Sequence, residues 1–122
     1  MNQNEIYKIN DKIFMQYYAV PQELFKNPLY IKLSIEAKIL YAFLLDRLTL
    51  SQKNNWINPN NEVYLIFTRE EAMNKLNISK PTIIKAFKQL VDTGLIIEQK
   101  HREYSAKLIY VCRMRPYDEW SY

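Results

Sequence analysis

Residues 79–89 concentrate the side chains with the clearest chemical purpose: Ser79, Lys80, Thr82, Lys85, Lys88 and Gln89. A second set flanks them, with Lys75 on one side and Lys100, His101, Arg102, Tyr104 and Lys107 on the other. Ammonium and guanidinium groups donate to phosphate oxygens and to guanine O6 and N7, while hydroxyls and amides reach phosphates or base edges. Such groups recognise an anion and break no bond. Bond-making chemistry needs partners that the chain does not supply. His101 is the only histidine and Cys112 the only cysteine. That excludes an internal disulfide and a Cys/His zinc cluster, and it leaves a Ser-His-Asp site only if His101 serves it. Gly94 is the only glycine, which excludes the Gly-rich phosphate loops of P-loop and dinucleotide-binding folds. The expectation is a protein that is not an enzyme, with no catalytic residues, no cofactor and no metal.

The charge follows the same residues. The formal net charge is +4, but residues 75–115 carry +6 and the remainder −2. The positive field therefore belongs to the C-terminal third and points to an acidic partner. A chain of 122 residues, 48% hydrophobic and 25% charged, is long enough for one domain that needs no staple. No apolar run approaches the ~20 residues of a membrane span. Residues 1–5 lack the basic and apolar regions of a signal peptide. The expected compartment is cytoplasmic, with no membrane partner.

Several elements must position these side chains. Residues 1–12 are polar and read as an arm. Residues 13–20 are apolar and aromatic and have the length and composition of a strand. Residues 21–25 suit one helical turn, and Asn27-Pro28 a tight turn. Ser34 is placed to cap a helix whose stripe is Leu33, Ala37, Leu40, Tyr41, Leu44, Leu45 and Leu48, ending near residues 49–51. Residues 56–67 read as a short hairpin or a loop feeding a strand. Thr68-Arg69-Glu70-Glu71 is a capping box that starts a short second helix. Asn77-Ile78 breaks it. Ser79 caps a third helix with Pro81 in its first turn and a stripe of Ile83, Ala86, Phe87, Leu90 and Val91. Gly94 falls where a helix needs a left-handed residue to end. Residues 95–100 and 107–112 form a hairpin with a charged tip.

Arm or strand, helix, strand, helix, tight turn, helix and hairpin is the order of a winged helix-turn-helix. The fold class is α+β, mainly helical, with an N-terminal strand or arm. Such a fold sets the third helix in the DNA major groove with its N-terminal residues against base edges, and the +6 segment covers that helix and the wing. Lys80 and Lys85 are expected at guanine or phosphate, Ser79 and Thr82 at phosphate or a base edge, and Lys88 and Gln89 at phosphate. Arg102 is the favoured minor-groove or backbone ligand of the wing, beside Lys100, His101, Tyr104 and Lys107. Lys75 is a backbone candidate. The plainer alternative is a solvated helix face and an ordinary charged hairpin tip. Ile84 is either a core residue or an apolar contact to a thymine methyl. Trp56 and Tyr64 read as packing residues, and Cys112 as a core thiol.

Residues 76–83 and 90–96 resemble the recognition-helix signature of bacterial winged-helix proteins. Upstream, residues 20–25, Tyr30, Leu33-Ser34, residues 37–41, 44–47 and 50–54, Trp56-Ile57 and residues 63–67 resemble the N-terminal domain of the RepA-N family of plasmid replication initiators. The resemblance covers roughly residues 13–112. It implies double-stranded DNA binding at origin repeats (iterons), initiating plasmid replication, with a separate C-terminal domain linked to host replication proteins. On this reading residues 1–12 are an arm, 13–115 the DNA-binding domain and 116–122 the start of an interdomain linker, the C-terminal domain being absent. Repeated sites and the apolar segment 13–20 together imply a homodimer with that segment in its interface; the intramolecular alternative adds the segment to the wing's sheet or lays it over the first helix. The rival reading is a winged-helix transcriptional repressor. The departure from the family pattern is Ile84, where a polar residue is common.

Overall fold

The computed structural model describes residues 5–101, 103 and 105–116. Among the described residues four helices and one hairpin follow in order: α1 (Glu23–Lys26), α2 (Ile35–Lys53), α3 (Arg69–Leu76), α4 (Lys80–Asp92), β1 (Ile96–Gln99) and β2 (Leu108–Val111). Local chemistry sets most boundaries. The Ser34 hydroxyl accepts the Ala37 N–H at 3.1 Å and starts α2. Thr68 and Glu71 form the reciprocal capping box of α3. Asn77 turns left-handed (φ +55°, ψ +48°) to end α3 and allow the sharp turn into α4. Gly94, at φ +78°, ends α4 at the position only glycine adopts without strain.

The two strands pair antiparallel, with Ile96 opposite Val111 and Glu98 opposite Ile109. Leu65 bridges the other side of Ile109, donating at 2.9 Å and accepting at 2.8 Å. α2 packs on α4, α3 on α4, and the hairpin closes against α4 and α2. Leu24, Leu40, Leu44, Phe67, Ala72, Ile83, Phe87, Leu90 and Leu95 fill the space between them. Lys38 is buried on α2. It is tolerated there because Nζ donates to the Ile31 carbonyl at 3.1 Å and lies 4.3 Å from the Phe25 ring centre.

The segment after β2 is strapped to the front of the chain. Tyr41 donates its hydroxyl to the Cys112 carbonyl at 2.8 Å, and the Arg115 N–H donates to the Tyr30 hydroxyl at 2.9 Å. Buried Asn27 donates Nδ2 to the Arg115 carbonyl at 2.9 Å and accepts the Leu29 N–H at 3.0 Å. Burial, with the Cys112 and Tyr30 groups alongside, pushes the Tyr41 hydroxyl up to about 12, so it stays a donor.

Two expectations change, and one open alternative narrows. Residues 13–20 form no strand. Strand composition makes a strand only with a ladder partner, and Leu65 occupies the β2 edge opposite β1. The segment is an exposed arm, tied down by Tyr18 stacked on Phe43 at 4.1 Å and by Val20 against the core. Val91 is not in the buried stripe: it lies one turn beyond Phe87, off the line of Ile83, Ala86 and Leu90, and is 39% exposed. Of the two readings left open for Ile84, the core one falls, since it is 46% exposed.

Candidate nucleic-acid interface

The outer face of the α3–turn–α4 unit carries mostly exposed polar residues, with Ile84 exposed among them. Lys75 closes α3, Ser79 occupies the N-cap position of α4, and Lys80, Lys85 and Lys88 point to solvent along α4. Opposite them Ile83, Ala86, Phe87 and Leu90 are buried, so packing fixes which face is outward. Among the described residues one ion pair lies on this face, Lys88 to Asp92 at 3.0 Å with both side chains largely exposed. Such an exposed pair contributes little to stability. Lys75, Lys80 and Lys85 therefore present their charge with three described acids in residues 75–115: Asp92, Glu98 and Glu103.

Three predicted contact residues, Ser79, Thr82 and Gln89, have partners within the fold. Ser79 occupies its cap position (φ −65°, ψ 155°), but its side chain accepts no backbone N–H. Its hydroxyl donates instead to Thr82 Oγ1 at 3.0 Å. That leaves the first-turn N–H groups of α4 open, together with the positive end of its dipole. Thr82 is half-buried behind Ser79. Gln89 is turned inward: its Oε1 accepts the Ser34 N–H at 3.0 Å, so it joins α4 to the start of α2.

The wing carries the second set of predicted residues. Lys100 and His101 leave β1 and Lys107 enters β2, all exposed; the Glu103 N–H donates to His101 Nδ1 at 3.1 Å. Arg102 and Tyr104 lie outside the described residues. One positioning contact escaped the reading of the sequence. Arg69, at the start of α3, donates to both carboxylate oxygens of Glu98 on β1 at 2.5 and 2.8 Å. Its guanidinium also lies 4.0 Å from the centre of the Phe87 ring on α4. One side chain thus ties the first helix of the helix-turn-helix, the second helix and the wing. The Arg69 hydrogen bonds hold the Glu98 carboxyl below its ordinary range, against the opposing effect of burial, with the Arg69 and Lys107 charges adding to the lowering. The alternation of β1 carried the signal. Ile96 and Glu98 share its inward face, and an inward acid needs a cation.

Elsewhere Trp56 lies 6.3 Å from Tyr64, ring centre to ring centre, in a stacked pair. Cys112 is half-buried, and burial pushes its thiol up. No helix among the described residues is long and apolar enough to cross a membrane.

A tight helix-turn-helix whose second helix turns a cationic face outward, backed by a hairpin with a charged tip, defines a winged helix-turn-helix domain. The family model described as replication initiator protein A (RepA) N-terminus matches residues 16–119, and the chain belongs to that family. Solved structures agree. One described as the N-terminal domain of a DNA binding protein is 28% identical with TM-score 0.78, covering 95% of this chain and 88% of that one. A Rep-DNA complex is 30% identical with TM-score 0.75, over 84% of this chain and 79% of that one. An "MDR initiator" is 35% identical with TM-score 0.72, over 87% and 89%. A "41 kDa protein" of Lactobacillus helveticus is 29% identical over 89 residues, 73% of this chain. The chain spans 24% of the length of that relative.

Proposed function

We propose that this domain binds double-stranded DNA at repeated sites of a plasmid replication origin, with α4 in the major groove and the wing at the adjacent backbone or minor groove. The observation that carries the reading is the outward face of α4, where Lys80 and Lys85 sit at the end that meets base edges in this fold. The similarity to a Rep-DNA complex supports DNA as the partner, and the family favours an initiator over a transcriptional repressor. The domain acts by recognition and does no chemistry of its own. Copies pair as a homodimer on the repeats. Contacts with host replication proteins belong to regions outside these 122 residues.

The test is affinity for an origin repeat against ionic strength, in wild type and variants. Lys80→Ala and Lys85→Ala each weaken binding by about 1–3 kcal/mol, and Lys80→Ala alters base preference at one position. Arg102→Ala lowers affinity and flattens the slope of log affinity on log salt by about one ion. Wild-type binding by both lysine variants removes α4 from the interface. Affinity and slope both unchanged in Arg102→Ala place the wing away from DNA.

A further inference from the structure

We propose that Ile84 is a specificity-determining residue that packs on the 5-methyl group of a thymine in the major groove; the inference rests on α4 lying in that groove. Ile84 is one turn after Lys80 and one turn before Lys88. It is 46% exposed, in the first half of the helix, where side chains reach base edges. The neighbouring helix positions show why it is not a displaced core residue. Ile83 and Phe87 on either side of it are fully buried, and the core already closes over them. An exposed β-branched residue is a poor choice for helix stability, since Lys or Ala serves better there. Lys80 and Lys85 can satisfy phosphates and base acceptors, but an isoleucine can neither donate nor accept. On a major-groove edge the apolar feature that distinguishes one base is the thymine 5-methyl group. The same contact against cytosine meets no methyl group, and against a purine it covers acceptors without replacing their hydrogen bonds. The selectivity is therefore both a gain for thymine and a loss for the other bases.

The experiment removes one methyl group from the DNA and leaves the protein intact. A duplex is selected by wild-type protein from a random-sequence pool, and each thymine is then replaced singly by deoxyuridine. Affinity is measured for wild type and Ile84→Ala. At one or two adjacent positions the wild type loses affinity by about three- to fivefold, the effect of one buried methyl group. Ile84→Ala binds the parent duplex more weakly and does not distinguish thymine from deoxyuridine there. Indifference of the wild type at every position, with salt-dependent binding to the selected duplex intact, overturns the Ile84 assignment and leaves the proposed function standing. Equal sensitivity of Ile84→Ala overturns it as well, since another residue then reads the methyl group. Failure of the pool to yield any bound duplex overturns the DNA-binding reading on which the assignment rests.

Discussion

Single side chains on α4 divide between solvent-facing and architectural positions in a way their types do not announce. Lys85 and Gln89 are both polar, lie one turn apart and suit a phosphate equally well. The structure separates them: Lys85 is exposed, while Gln89 accepts the Ser34 N–H. The difference was illegible because the partner is a backbone group 55 residues away, and no local spacing encodes it. Opposite behaviour follows for the two. Gln89→Ala leaves a half-buried N–H unpaired and lowers unfolding stability by about 1 kcal/mol, with DNA affinity per folded molecule unchanged. Lys85→Ala keeps stability within about 0.5 kcal/mol of wild type and loses DNA affinity. Denaturant midpoints and binding isotherms on the same preparations check the pair. A Gln89→Ala protein that keeps its stability and loses affinity returns Gln89 to the interface.

Between elements, the Arg69–Glu98 pair ties the wing to the helix-turn-helix, and that junction is expected to weaken in acid. Glu98 has a lowered pKa in the fold because Arg69 hydrogen bonds favour its charged form. A carboxyl whose folded pKa lies below its unfolded value binds fewer protons when folded. Its contribution is complete above the ordinary glutamate value of about 4.3 and is lost as pH falls from there through the folded value. Wild type should therefore show a falling denaturant midpoint on that acid limb, and Glu98→Gln a shallower one. At neutral pH Glu98→Ala costs about 1–3 kcal/mol, since it leaves a partly buried guanidinium without its carboxylate. Parallel acid limbs in wild type and Glu98→Gln would show that the pair does not govern this junction. Helix boundaries at this scale were legible, because Ser34, Thr68, Glu71 and Gly94 act through hydrogen bonds and torsions within a few residues. The strand expected at residues 13–20 was not, because a strand is defined by what lies beside it. For the same reason the α3–wing tie is visible only once β1 has a register.

For the whole molecule, the arm is the part its own fold leaves unfinished. Ile9 is 97% exposed and Phe14 84%, and Ile6, Tyr7, Ile13, Met15 and Tyr17 are exposed as well. A monomer in water rarely carries so much contiguous apolar side chain without a partner. The anchors are few, Tyr18 on Phe43 and Val20 at the core, so the core is complete without residues 5–17. On the proposed binding to repeated sites, a second copy of the chain is the partner brought to hand, and pairing would raise the effective concentration of the second domain once the first has bound. The expected outcome is a homodimer with residues 13–20 in its interface. Removal of residues 1–17 spares both anchors, and the shortened protein should unfold as cooperatively as wild type while sedimenting as a monomer. On a two-repeat duplex it should lose affinity, and on a single half-site it should lose little. Sedimentation velocity across a concentration series reads the change directly. A wild-type chain that stays monomeric at high micromolar concentration without DNA excludes the arm as a dimer contact, and an unchanged preference for two repeats after truncation excludes it as the source of cooperative binding.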